Sequence, residues 1–246
     1  MRRISVLFTL LLSCLMAVQS QDKVRGTLQA DLVSHYMWRG QDKGNVCIQP
    51  KLGLEWKGCR LALEGSAGFS HSDYEEMDII LTYNYKNLTV GLLDEWGEDE
   101  YVSRYFDYGH ETTHQFSAHL GYECKYGSIG AYTFFAGNDY LPNGKRAYST
   151  YIELNVPFRL ATLDWNAAVG LTPYKSGGVK THPKDTQSEE YFEYSYADGF
   201  AVNMVSLRAT KVFDIKGYQL PVYIEVHGNP YTQIARVFLG VTLFSL

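Results

Sequence analysis

The feature that most constrains this chain is an alternation of apolar and polar side chains, with a period of two, that recurs along almost its whole length. Successive side chains of an extended strand point to opposite faces. The pattern therefore commits each segment to a strand with one oily face and one polar face. Leu28, Ala30, Leu32, Ser34, Tyr36 and Trp38 share one face of the first segment, and Gln29, Asp31, Val33, His35, Met37 and Arg39 share the other. The second segment sets Ile48, Pro50, Leu52, Leu54 and Trp56 against Gln49, Lys51, Gly53 and Glu55. The third sets Leu61, Leu63, Gly65, Ala67 and Phe69 against Glu64, Ser66, Gly68 and Ser70. Further segments begin near Met77, Leu88, Gln115, Ser128, Tyr148, Leu160, Phe200, Gln219 and Thr232. About twelve strands are predicted, with no helix, each of about eight to twelve residues, the length a tilted strand needs to cross a bilayer.

The connections alternate in length. Short turns are predicted at 57–59, 86–87, 125–127, 157–159 and 214–217. Longer polar connections lie at 39–45, 71–75, 94–113, 137–146 and 174–199, with a shorter one at 228–231. Tight turns at one end and larger loops at the other are the pattern of a transmembrane antiparallel β-barrel in an outer membrane, and an even strand count leaves both termini on the periplasmic side. No linker divides the chain, so residues 21–246 are expected to form a single barrel domain.

Ahead of it, Arg2 and Arg3 precede an apolar run over 4–18 and a small residue, Ser20, which predicts a secretory signal peptide over 1–20. The rival reading is a lipoprotein signal with Cys14 as the acylated residue; the apolar run continues past it. After residue 20 no apolar run approaches the roughly 18 to 20 residues of a membrane-spanning helix. Without the signal the chain has 20 basic and 27 acidic residues, a charge of −7, which excludes nucleic acid as an expected partner. Cys47, Cys59 and Cys124 have no metal-site spacing; a pairing of Cys59 with Cys124 is left open. Tyrosine occurs 20 times, and its apolar ring with a wet tip suits a boundary between water and lipid.

Alternation alone does not say which face is inside. About twelve strands would leave an apolar interior underfilled, so the oily face is expected to meet lipid. Tyr36, Trp38, Trp56, Phe69, Tyr83, Tyr85 and Tyr122 then end the apolar faces of their strands as membrane-interface girdles. Arg39 falls on the opposite face, at the pore mouth. A β-sandwich with the same rings between two sheets is the alternative architecture.

The stretch "VSHYMWRGQ" at 33–41, followed directly by "IQPKLGLEW" at 48–56, resembles the N-terminal signature of the TorF family of outer-membrane porins. The likeness extends loosely through the hairpin layout to the last strand, "FLGVTLFSL". It implies an outer-membrane barrel and assembly by the barrel-assembly machinery. Two positions depart from the pattern: His35 stands where an aspartate is frequent, and Leu246 ends the chain in place of phenylalanine.

Several constellations bear on chemistry. "HETTH", 110–114, matches the zinc-protease pattern, which needs a helix to bring two histidines to one metal. On a strand they stand roughly 13 Å apart, and the alternating "QFSAHLGYE" that follows predicts a loop-to-strand junction. A barrel hydrolase would need serine and histidine on neighbouring strands with a third group to orient the histidine; Ser117 and His119 share one strand face and point in parallel. The predicted inward face carries Asp31, Glu55, Glu64, Asp78, Glu123, Glu153, Asp164 and Glu225 against Lys51 and Arg208, with Arg236 left unassigned. Such carboxylates need water, bases or cations around them. Either a water-filled lumen or a hydrogen-bonded plug that includes Gln29, Gln49 and His119 satisfies them. The loop "DEWGEDE", 94–100, is read as a solvated acidic loop rather than a Ca²⁺ site, lacking fixed ligand spacing. The 174–199 loop, with "EEYFEYSY" near its end, either folds into the mouth or faces outward.

Together these features point to a narrow, porin-like passage for small solutes or ions with a mild cation preference. The alternatives are a closed structural or binding barrel that acts through its outer loops, and a barrel hydrolase. The expected partners are outer-membrane lipid, the assembly machinery and the solutes themselves; no catalytic residue, cofactor or metal is expected.

Overall fold

A computed structural model of the chain describes residues 23–70, 73–97, 104–109, 112–181 and 191–245. The expected signal segment and the start of the HETTH motif, His110 and Glu111, lie outside them, as do Glu98, Asp99 and Glu100 of the acidic loop. Twelve antiparallel strands close into a barrel. In chain order they are β1 (Arg25–Val33), β4 (Cys47–Trp56), β5 (Cys59–Gly68), β6 (Glu76–Tyr85), β7 (Leu88–Gly97) and β8 (Gln115–Cys124). They continue as β9 (Gly127–Gly137), β10 (Thr150–Leu160), β11 (Leu163–Thr172), β14 (Ala201–Ile215), β15 (Tyr218–Asn229) and β16 (Ile234–Ser245). Each pairs with its sequence neighbour, and β1 pairs with β16 from Gln29↔Ser245 to Val33↔Gly240, which leaves no free edge. Two small hairpins stand apart from the wall: β2 (Tyr36–Trp38) with β3 (Gln41–Gly44), and β12 (Gly178–Thr181) with β13 (Tyr191–Tyr194).

The tight turns gather at one rim and the longer loops at the other. Lys57-Gly58 and Lys216-Gly217 place both central residues at positive φ (49° and 83°, 57° and 88°), the two-residue geometry whose twist matches the flanking strands. The turn expected at 157–159 falls instead at Ala161 and Thr162 (φ 50° and 69°). Pro157 stays within β10, opposite Asn166, beyond the last β9 pair at Asn155↔Ser128. It therefore needs no N–H on that side.

The exterior is oily. Each of the twelve barrel strands leaves at least one large apolar side chain exposed, among them Leu28, Leu54, Leu81, Leu92, Leu120 and Val226. The expected rings Phe69, Tyr83, Tyr85 and Tyr122 are exposed on this surface, with Trp56 at the end of β4. The interior departs from expectation. Its long-loop half is filled by two clusters, one of Phe134, Tyr151, Ala168, Tyr196 and Met204, the other of Val33, Cys47, Tyr223 and Phe238. Room for these rings comes from glycine: a Cβ at Gly170 would lie 2.2 Å from the Tyr151 hydroxyl and 2.6 Å from its ring.

Candidate functional site: a hairpin seated inside the barrel

Both clusters pack against the β2–β3 hairpin, Trp38 against the first and Tyr36 and Met37 against the second. β1 leaves the wall at Ser34, whose N–H donates to the Leu239 carbonyl (2.8 Å) while its hydroxyl accepts from the Leu239 N–H (2.9 Å). The hairpin then reaches groups all around the wall. Tyr36 donates to Glu76 of β6 (2.7 Å), and Asn229 of β15 donates to the Gly40 carbonyl (3.0 Å). Arg236 of β16 meets Asp42 at 2.7 Å. A segment that touches β6, β15 and β16 of a closed barrel lies inside it.

This corrects two expectations. Tyr36 and Trp38 are lumenal side chains, not interface rings; Arg39, expected at the pore mouth, is carried on the tip of the inserted hairpin beside Tyr196. The turn Trp38-Arg39-Gly40-Gln41 has Arg39 and Gly40 at φ 47° and 85°. No side chain fits at position 40, because a Cβ would lie 1.8 Å from the Asn203 carbonyl oxygen.

The Arg39 guanidinium is almost completely enclosed. One nitrogen lies 3.0 Å from the Glu95 carboxylate and another donates to the Tyr196 hydroxyl at 3.1 Å. Its carbon stands 4.2 Å from the Tyr132 ring centroid, 4.3 Å from Trp38 and 5.6 Å from Tyr151. Burial opposes the charge, but Glu95 more than restores it and holds the pKa above the ordinary arginine value. Lys43, on the same hairpin, faces the rings of Tyr74 (4.6 Å) and Trp38 (5.3 Å). Burial pulls its pKa down, opposed by Glu76, Glu95 and Asp78.

These cations answer a carboxylate row in the wall. Lys51↔Glu64, Glu64↔Asp78 and Asp78↔Glu95 are direct cross-strand partners from β4 to β7, so three acids stand side by side, an arrangement that repels unless countered. Arg60 reaches Glu64 (3.1 Å). Asp78 and Glu95 are buried, and each keeps one carboxylate oxygen with no hydrogen-bond partner; the buried hydroxyls of Ser66 and Ser117 are likewise unpartnered.

The other expected lining residues spread along the interior. Asp31 accepts from Gln29 (2.9 Å) and sits 3.7 Å from Lys51. Glu153 accepts from Tyr151 and Asn155 (2.7 Å each). Glu225 binds Arg208 (2.6 Å) and His227 (3.0 Å). Glu55 is half-buried, whereas Glu123 and Asp164 are exposed at the tight-turn rim, Asp164 beside Arg159 at 3.8 Å. The Lys51 and Arg208 side chains are 37% and 44% exposed, so water reaches this half of the lumen.

Sequence reading missed Glu76 and Glu95 as inward acids, Lys43 as a cation facing them, Arg60 and Arg236 as the partners of Glu64 and Asp42, and Tyr132, Tyr151 and Tyr196 as interior rings. The acidic stretch at 94–100 is not one loop: residues 94–97 belong to β7, with Glu95 inward and Asp94 outward against His114 (2.6 Å). The second ring nitrogen of His114 meets the Tyr105 carbonyl (2.6 Å), and among the described residues no three His, Cys, Asp or Glu side chains are grouped to hold a metal. Cys47, Cys59 and Cys124 are free thiols. Ser206 stands opposite His227, whose ring Glu225 orients, but no hydrogen bond joins the serine to the imidazole. Tyr196, at the end of "EEYFEYSY", folds into the mouth and packs on Trp38, Phe134 and Tyr151.

No protein-family model matches the chain, and no curated protein matches it.

Proposed function

We propose that the protein is an outer-membrane channel in which the inserted hairpin narrows a polar passage to small, preferentially cationic solutes. The observation that carries this reading is the inversion of polarity: all twelve strands expose apolar side chains outward, while acids and bases pair inside. Such a belt is favourable against lipid and unfavourable against water. Inward carboxylates lower the barrier for cations and raise it for anions. The likeness of 33–41 and 48–56 to the TorF family supports the same location, with the tight turns on the periplasmic side.

The filled long-loop half favours a second reading, a closed barrel that binds partners through its outer loops. Conductance of the refolded mature protein in a planar bilayer under a salt gradient separates the two. A channel gives small discrete steps and a cation-selective reversal potential. Neutralising Glu55, Glu64 and Asp78 together then lowers the cation-to-anion permeability ratio; an unchanged ratio would remove the electrostatic mechanism. A folded, heat-modifiable but silent barrel supports the closed reading.

A further inference from the structure

The wall around Arg39 has the form of a ligand site. Remove the hairpin, and the barrel wall retains a carboxylate (Glu95) and two rings from neighbouring strands (Tyr132 and Tyr151), to which the loop before β14 adds the Tyr196 ring and hydroxyl, all within reach of one planar cation. The carboxylate binds through one oxygen and leaves the other, buried, without a partner. Next to it Asp78 also keeps a buried, unpartnered oxygen. The pocket therefore has more hydrogen-bond acceptor capacity than the hairpin uses. Aromatic faces with a carboxylate select guanidinium and ammonium groups, which combine ring attraction with charge-assisted hydrogen bonds. The hairpin that supplies Arg39 is not hydrogen-bonded into the barrel sheet. Of the contacts that hold it, those of Arg39 with Glu95, Tyr196 and the rings are ones that a competing cation can replace.

We propose that Glu95, Tyr132, Tyr151 and Tyr196 form a binding site for organic cations of the guanidinium class, and that Arg39 occupies it as a tethered competitor. A solute bearing such a group displaces Arg39, loosens the hairpin and takes the position that the arginine held. This rests on the reading of the barrel as a cation passage and names the class of solute it admits.

The test uses the folded Arg39→Ala barrel in detergent, titrated with millimolar methylguanidinium and, at equal ionic strength, with potassium and acetate salts as controls. Tryptophan fluorescence and the thermal unfolding midpoint are the readouts. Saturable binding of methylguanidinium to Arg39→Ala is expected, weakened about tenfold or more when Glu95→Gln is added, as for loss of a hydrogen bond to a charged group. The same titration of the wild type should give a much weaker response, because its site is filled. No saturable binding, or binding indifferent to Glu95→Gln, overturns the proposal. If Arg39→Ala does not refold alone, refolding with methylguanidinium present is the expected rescue, and its failure also counts against the site. Potassium conductance, measured separately, keeps the two readings apart. Conductance without methylguanidinium binding sinks the site and spares the channel; binding in a silent barrel sinks the channel and spares the site.

Discussion

The chain makes nearly the same turn twice, in two opposite surroundings. Trp38-Arg39-Gly40-Gln41 and Trp56-Lys57-Gly58-Cys59 share a tryptophan, a basic residue and a glycine, and their central φ angles agree within a few degrees (47° and 85°, 49° and 83°). In both the cation stands over the preceding indole, at 4.3 Å and 5.2 Å. Yet Lys57 is exposed at the tight-turn rim, while Arg39 is enclosed at the centre of the long-loop half. The local code specifies a hairpin and nothing more. Whether its cation is solvated or caged follows from the strands that surround it.

Changes that leave the turn intact but alter its surroundings break this comparison most sharply. Glu95→Ala strands the enclosed Arg39 charge and is expected to cost about 3–5 kcal/mol, read as the urea midpoint of the liposome-inserted barrel. Lys57→Ala, by contrast, should fall within about 0.5 kcal/mol of wild type, as surface substitutions do. Equal effects would mean that Arg39 is as solvated as Lys57. A smaller difference separates the two glycines. Both need positive φ, so alanine at either should cost about 1–2 kcal/mol from backbone strain alone. At position 40 the added Cβ also meets the Asn203 carbonyl at 1.8 Å, against 2.6 Å to the Asn84 carbonyl at position 58. Gly40→Ala should therefore be the more destabilising and should also enlarge the conductance step, which Gly58→Ala should leave unchanged. The smallest expected effect is the exchange of cations. Arg39→Lys loses the planar fork between Glu95 and Tyr196 and should cost about 1–2 kcal/mol, whereas Lys57→Arg should be silent in the same unfolding assay.

The barrel was legible because its cause is local: period-two alternation and alternating connection lengths are visible within ten or twenty residues. The hairpin was hidden by the same signal. Ser34, Tyr36 and Trp38 continue the phase of Leu28, Ala30 and Leu32 without a break, and the departure from the wall is marked only by a Ser34–Leu239 contact 205 residues away in sequence. The Ala161–Thr162 turn was misplaced for the opposite reason, since it uses positive φ at two residues that do not advertise it, beside a Pro157 that does. Glu95 was missed because it sits among acids that read as a loop, when alternation alone separates it, facing inward, from the outward Asp94. Trp-Arg-Gly at 38–40, the same pattern as Trp-Lys-Gly at 56–58, was the available sign that a tight turn lay inside the supposed first strand.

The inserted hairpin also sets an order of events. It directly follows the first strand of the barrel, but its contacts reach far along the chain: Arg39 to Tyr196, 157 residues later, and Gly40 to Asn229, 189 residues later. Contacts so distant along a chain form late, after nearer pairings have already paid the loop-closure entropy. The hairpin's contacts with Glu76 and Glu95 need only β6 and β7, but those with Tyr196 and Asn229 need the chain that follows. The cage around the guanidinium therefore closes only once the chain has reached Tyr196, and the hairpin gains its anchor at Gly40 only once it has reached Asn229.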